Sequence, residues 1–231
     1  MLRSLKDLEG YTIAAMDGDI GSVTNFLVDH ARWTIRYLVA TTGDFFGSHR
    51  VLIAPISFRH SDWSTKSFHV QVTMEKAKHA PSIDCDQSIS RQDEMDRAVY
   101  HAHPSCWGLA GVPHGGSHLR GVNELRGYHV HGSDEEVGRV EDFIVDDKSW
   151  EVRYLIIETS NAWVGTHVLV APQWAHPLRS DERKIQLNLS RVAVRNSPAW
   201  DADAAVNREY ETRLYGHYGR PVYWDMPGLP D

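Results

Sequence analysis

Hydrophobic and polar residues follow the same order in two stretches of the chain, 17–42 and 134–159. The positions that recur are glycine, aliphatic, aromatic and charged residues: Gly21, Val23, Phe26, Val28, Asp29, Trp33, Arg36, Tyr37, Leu38 and Thr42 match Gly138, Val140, Phe143, Val145, Asp146, Trp150, Arg153, Tyr154, Leu155 and Thr159. Every pair is 117 residues apart, as positions 21 and 138 show. The sequence therefore predicts an internal duplication with no insertion in this region.

Each copy predicts a β-hairpin. Residues 20–29 carry apolar side chains on both faces, which is typical of a strand between two apolar layers, and residues 35–40 return as its partner. Trp33 lies in the hairpin loop, as Trp150 does in the second copy. Each ring is expected to fold back over the end of the small β-barrel that its half is predicted to form; a stacking platform for a ligand is the alternative.

Charged residues flank the hairpin loops. Asp29 and Arg36 are expected to pair across the first hairpin. The second copy carries a larger acidic group, which is interpreted as a solvated face, with a site for a hard cation as the alternative: Glu141, Asp142, Asp146, Asp147 and Glu158.

Further strands and short helices are predicted in the same order in both halves. The first strand of each half begins at Gly10 and at Gly127. Later strands are predicted at 50–54 and 167–171, which are ended by Pro55 and Pro172, and at 68–72 and 185–189. The helices are 74–80, 90–101, 191–197 and about 207–215. The predicted fold class is all-β with short helical additions, in two small β-barrels that each carry a C-terminal helical tail. The predicted domains are 1–107 and 118–231, joined by the glycine-containing linker 108–117.

Composition favours a globular protein of the cytoplasm. The 231 residues are 42% hydrophobic and 24% charged, and the formal charge of −7 argues against sequence-independent binding to nucleic acid. Cys85 and Cys106 are interpreted as reduced thiols. No apolar run reaches the length of about 20 residues that a membrane helix needs, so no direct membrane insertion is expected.

One group of residues has the composition of a metal site: His101, His103, Cys106, His114 and His118. Their spacing matches no standard zinc motif, and chance clustering is the alternative in a chain with 14 histidines. No nucleophile with a neighbouring base and no phosphate-binding glycine loop is present in the sequence. The expectation is a non-enzymatic protein with no catalytic residues, no metal and no cofactor.

The ordered glycine, aspartate and alanine-proline positions of both copies resemble the PRC-barrel family, in the segments DGDIGSV, FLVD, RYLV and VLIAP and in EVGRVEDFIVD, VRYLI and HVLVAP. The tail around Tyr218 and Trp224 looks like that of bacterial members with two such domains. The resemblance implies a bent β-barrel used for protein interaction, as in the photosynthetic reaction-centre H subunit and a ribosome maturation factor. It implies no catalytic residues.

The leading hypothesis is a tandem PRC-barrel adaptor or regulator in the cytoplasm or peripheral to a membrane complex. Relation to reaction-centre H-type assemblies or to regulation of electron transfer is part of this hypothesis. A protein partner and a homodimer are expected, and the alternative is a histidine-based metal sensor or metalloenzyme. Aromatic residues on glycine-bounded loops and in the tail are the candidates for the interaction surface, although the loop residues could equally cap a barrel: Phe45, Phe46, Trp163, Tyr218 and Trp224.

Overall fold

The chain folds into two β-sheets with short helices. The computed structural model describes residues 1–41, 50–78, 119–159, 166–179, 182–202 and 204–225. The strands are β1 Leu2–Ser4, β2 Thr12–Ala14, β3 Asp19–Asp29, β4 Thr34–Thr41, β5 Arg50–Ile53, β6 Phe58–Asp62, β7 Ser67–Val70, β8 Leu119–Gly121, β9 His129–His131, β10 Glu136–Asp146, β11 Val152–Thr159, β12 Thr166–Val170 and β13 Lys184–Gln186. The α-helices are α1 Leu5–Leu8, α2 Met74–Lys78, α3 Val122–Leu125, α4 Arg191–Arg195 and α5 Arg208–Tyr218. The mostly-β prediction is confirmed.

The chain divides into two compact units. Leu5–Leu125 form the N-terminal unit, and Met1–Ser4 together with Arg126–Asp231 form the C-terminal unit. The predicted linker 108–117 and the predicted helix 90–101 lie outside the described residues. The division of the sequence at 107 and 118 therefore stays a prediction.

The sheet of the N-terminal unit has the strand order β5-β4-β3-β2-β7-β6, and β8 pairs with β3. β3 and β4 form the predicted hairpin, with Phe26 opposite Leu38 in the register. Both side chains are fully buried, as expected for a strand between two apolar layers. Along the described strands this order is an open path and does not close into a barrel.

The sheet of the C-terminal unit has the order β12-β11-β10-β9-β13, and β1 pairs with β10. Phe143 pairs with Leu155 here, which is the same register as in the first hairpin displaced by the repeat distance. The described strands again form an open path.

The hairpin loops place their tryptophans in a backbone conformation that is unusual for a bulky residue. Trp33 has φ 52° and Trp150 has φ 57°, a left-handed region that costs such a residue about 1–2 kcal/mol. Trp150 is buried, whereas Trp33 is half-buried. In the second copy, the free energy gained by burying the Trp150 ring is expected to offset this backbone cost.

The ion pair predicted across the first hairpin is confirmed. Arg36 Nη2 lies 3.4 Å from Asp29 Oδ2, and Asp29 Oδ1 also accepts a hydrogen bond from the backbone N–H of Ala31 at 3.0 Å. In the second hairpin Arg153 Nη2 lies 3.9 Å from Asp146 Oδ2. The repeated aspartate therefore lies beside its arginine in both copies, although Arg153 Nη2 is closer, at 3.0 Å, to Glu151 Oε2.

The interpretation of the acidic group as a solvated face is wrong for Asp142. This residue is 2% exposed. It accepts hydrogen bonds from Ser4 Oγ at 2.5 Å and from Arg126 Nη2 at 2.7 Å. Its neighbour Asp147 accepts from Arg3 Nε at 3.0 Å. These carboxylates hold β1 against β10, which is a contact that a local sequence pattern cannot show.

Candidate interaction surface

Helix α5 lies beside a group of charged and aromatic side chains in the C-terminal unit. The side chain of Asn207 caps the helix by accepting a hydrogen bond from the backbone N–H of Tyr210 at 2.9 Å. Acidic residues occupy its first turn, where they oppose the positive end of the helix dipole. Gly219 ends the helix with φ 59°, a left-handed conformation that glycine adopts without steric cost.

A buried carboxylate anchors α5 to β11. Glu211 is 2% exposed and Tyr154 is 0% exposed. The Tyr154 hydroxyl donates to Glu211 Oε1 at 2.7 Å, and the Tyr223 hydroxyl donates to the same oxygen at 3.1 Å. Arg208 Nη1 lies 3.2 Å from the other carboxylate oxygen, Oε2. These four residues, named here the Glu211 cluster, satisfy both oxygens of a buried charge.

Cationic groups stack on the aromatic rings beside the cluster. The Arg208 guanidinium carbon lies 4.1 Å from the centroid of the Trp224 ring and 5.2 Å from that of Tyr223. The guanidinium carbon of Arg153 lies 4.2 Å from the Tyr223 centroid. Distances below about 6 Å are those of cation–π contacts. The Arg208 side chain is 61% exposed and Trp224 is half-buried, so this pair, the Trp224 surface, faces solvent.

Aromatic rings form the support beneath the Trp224 surface. Tyr215 lies 6.1 Å from Trp224 and 5.2 Å from Trp174 between ring centroids, and Tyr218 lies 4.7 Å from Trp174. Tyr215 and Tyr218 are buried. Burial raises the pKa of each of these hydroxyls to about 12. Both tyrosines are therefore neutral hydrogen-bonding groups at physiological pH.

The structure places two of the five predicted interaction residues, which are Tyr218 and Trp224. Tyr218 is buried against Trp174 and supports the surface from within. Trp224 lies at the surface with Arg208. The remaining three, Phe45, Phe46 and Trp163, lie outside the described residues. The predicted histidine and cysteine group also lies outside them, and among the described residues no three histidine, cysteine, aspartate or glutamate side chains are grouped as a metal site would need.

Sequence reasoning missed the Glu211 cluster as a site. A usable signal was present, because Arg208 and Glu211 have matches in the first half at Arg91 and Glu94, at the same distance of 117 residues. The matched residues occupy a polar helical tail, where charged pairs are usually solvated. Only the tertiary fold brings Tyr154 and Tyr223 to the carboxylate and removes it from water.

Comparison with known families bears on the second half of the chain. The family model of the PRC-barrel domain matches residues 118–192. Residues 118–192 are therefore similar to a PRC-barrel domain, and this match covers less than half of the chain. The N-terminal sheet, which repeats the register of the PRC-barrel hairpin, is a β-sheet domain that is not assigned to a family. No curated protein matches the chain at a significant level.

The PRC-barrel match begins one residue before β8 and ends at the start of α4. It therefore includes a strand, β8, that pairs with β3 in the N-terminal unit. α5 and the Trp224 surface follow the matched segment. Among the described residues, no helix is both long and apolar enough to cross a bilayer.

Proposed function

We propose that the protein is a non-enzymatic adaptor or regulator built from two PRC-type β-domains, and that it binds a protein partner through the Trp224 surface. The observation that carries this proposal is the stacking of the exposed Arg208 on Trp224 at 4.1 Å above buried tyrosines. Trp, Tyr and Arg are the residues that most often dominate the binding energy of protein interfaces. Here all three are grouped and held in place before a partner arrives.

Preorganisation supports this role. Glu211 pairs with an N–H edge of the Arg208 guanidinium, and the Trp224 ring covers one of its faces, so the side chain is already ordered when a partner binds. Ordering a free, flexible side chain at an interface costs about 0.5–1.5 kcal/mol. Because Arg208 is already held by Glu211 and Trp224, binding a partner there has a smaller ordering cost. The remaining guanidinium donors suit an acidic or carbonyl-rich segment of a partner.

The resemblance of both halves to the PRC barrel supports the same function class. The shared register of the two hairpins supports a second PRC-type domain in the N-terminal half as part of this proposal. A cytoplasmic location, peripheral association with a membrane complex and a role with reaction-centre H-type assemblies are the finer parts of this proposal. They rest on the resemblance alone.

The test is recovery of a partner from native cell extract with two matched variants. Trp224→Ala removes the ring from the Trp224 surface. Val192→Ala removes an exposed apolar side chain, 64% exposed, from α4 in the same unit. Proteins recovered with the unaltered chain and with Val192→Ala, but at least about tenfold less with Trp224→Ala, support the proposal. Equal recovery with both variants, each shown by circular dichroism to be folded, overturns it.

A further inference from the structure

One edge of the Arg208 guanidinium is not used within the C-terminal unit. Nη1 donates to Glu211 Oε2 at 3.2 Å and to the Tyr223 hydroxyl at 2.9 Å, which uses both of its hydrogens. Among the described residues, no group accepts a hydrogen bond from Nε or Nη2 of this arginine. The side chain is 61% exposed. The edge formed by Nε and Nη2, named here the Arg208 edge, is therefore open to solvent.

The Arg208 edge has the geometry of a carboxylate receptor. The N–H bond of Nε and one N–H bond of Nη2 are parallel in the guanidinium plane, so they match the two oxygens of one carboxylate. A backbone carbonyl offers one oxygen and no charge, and a hydrogen bond to it is about half as strong. Trp224, whose ring centroid lies 4.1 Å from the guanidinium carbon, and Glu211 hold this plane in place. The edge therefore favours a carboxylate over the other acceptors of a protein segment.

The charges around Arg208 favour a single carboxylate over a polyanion. The guanidinium carbon of Arg153 lies 4.2 Å from the Tyr223 centroid, but Arg153 is itself paired with Glu151 at 3.0 Å. Arg208 is likewise paired with the buried Glu211. A nucleic acid or an anionic membrane binds to several uncompensated cations together, and the described residues around Trp224 do not supply such a group. Hydrogen-bond geometry and apolar contact must therefore supply the affinity.

We propose that Arg208 is a carboxylate-specific anchor, and that the partner segment which it recognises carries an aspartate or glutamate beside an apolar side chain. The carboxylate accepts from Nε and Nη2 of Arg208, and the apolar side chain packs on the exposed part of the half-buried Trp224 ring. This inference rests on the proposed function, since it names the chemistry that the Trp224 surface recognises in a protein partner.

Selection from a library of random peptides displayed on phage tests the inference with a defined probe. The library is selected in parallel on the immobilised full-length chain and on its Arg208→Gln variant, which circular dichroism shows to be folded. Peptides enriched on the unaltered chain alone are expected to carry aspartate or glutamate next to an aliphatic or aromatic residue. Arg208→Gln is the counter-selection because it removes the charge and the two parallel donors.

Substitution within a selected peptide isolates the carboxylate without any change to the protein. Replacing its glutamate by glutamine, or its aspartate by asparagine, is expected to weaken binding at least about tenfold in fluorescence anisotropy of the labelled peptide. Arg208→Lys keeps the charge but lacks the two parallel donors, and is expected to weaken binding by a similar factor of about ten. In the Arg208→Lys chain the peptide substitution is then expected to matter by less than about threefold.

Arg213→Gln is the matched control for charge. Arg213 is exposed on the same helix, α5, and is not part of the Trp224 surface. Its replacement removes one positive charge near the site and leaves the Arg208 edge intact. The affinity for the selected peptide is expected to change by less than about threefold.

Three results overturn the proposal. One is recovery of no peptide on the unaltered chain. Another is recovery of peptides whose binding requires Trp224 but not an acidic residue, which would leave the proposed function standing without its carboxylate anchor. The third is an equal loss of affinity in Arg213→Gln and Arg208→Lys, which would indicate attraction by general charge. The proposed function fails by a different observation, namely equal recovery of proteins from extract by the unaltered and Trp224→Ala chains.

Discussion

Tyr154→Phe measures how strongly the Glu211 cluster holds α5 to the sheet. The substitution removes a hydroxyl that donates to Glu211 Oε1 at 2.7 Å and that also interacts with the Tyr215 hydroxyl, and phenylalanine fills the same buried volume. Hydrogen bonds to charged groups contribute about 1.5–3 kcal/mol. Tyr223 still donates to the same oxygen at 3.1 Å. The expected loss is therefore at the lower end, about 1.5–2 kcal/mol.

Amide hydrogen exchange in a peptide covering 208–218 is the appropriate assay, since it reports the free energy of opening α5 within the folded chain. A loss of about 1.5–2 kcal/mol corresponds to exchange about 10–30-fold faster. Thr212→Ala is the matched control. Thr212 is exposed on α5, and its hydroxyl donates to the Arg208 carbonyl of its own helix, so the exchange rate is expected to change by less than about threefold.

A double-mutant cycle with Glu211→Gln separates the hydrogen bond from other effects of the two substitutions. If Tyr154 acts through Glu211, the double variant is expected to lose about 1 kcal/mol less than the sum of the single variants. Additive losses, or a Tyr154→Phe variant whose α5 exchanges within about twofold of the unaltered protein, would refute the view that this bond anchors the helix.

Three further changes test other parts of the structure. Burial raises the pKa of Tyr215 and Tyr218 from 10.0 to about 12, so the unfolded chain releases their protons at a lower pH than the folded chain does. The free energy of unfolding of the C-terminal unit is therefore expected to fall between pH 10 and 12. Tyr215→Phe is expected to make that fall smaller, as measured by urea melts at a series of pH values. Gly138→Ala is expected to lower the free energy of unfolding by about 2–3 kcal/mol in the same melts, since a Cβ there would lie 2.0 Å from the Glu158 carbonyl oxygen. Gly216→Ala, at a position with open space around it, is expected to raise it by about 0.5–1 kcal/mol. Similar values for the two variants would contradict the close approach at Gly138. Asp142→Asn removes the negative charge that pairs with Arg126 and is expected to lower the free energy of unfolding by about 1–3 kcal/mol. An unchanged urea midpoint would show that this ion pair contributes nothing to stability.

Local pattern was sufficient for the strands that carry their own signal. The apolar residues on both faces of 20–29 and the proline after 50–54 predicted β3 and β5 to within one residue at each end. β6 was missed because Phe58–Asp62 is mostly polar and partly exposed, so it lacks the alternation of a half-buried strand. The pairing of Asp29 with Arg36 was predictable because both residues lie on one hairpin.

Tertiary features were beyond the sequence pattern for a physical reason. Leu2-Arg3 and Leu119-Arg120 fit beside β3 and beside β10 equally well at the level of propensity, so the pattern cannot assign them to a sheet. The Glu211 cluster joins β11, α5 and the residues after α5, whose separation in the sequence hides their contact. The burial of Asp142 has the same cause, because its donor Ser4 is 138 residues away.

Divergence between the copies explains how a duplicated chain avoids pairing its strands at random. Identical partner strands in the two sheets would leave β1 and β8 free to occupy either sheet, and each misassignment would be a competing fold. Asp142 requires a donor, which β1 supplies with Ser4 and β8 lacks at Gly121. Asn25 instead accepts from the backbone of Asn123, next to β8. Differences at two repeated positions, Asp142 against Asn25 and Ser4 against Gly121, therefore favour one strand for each sheet, while the backbone register is the same in both copies.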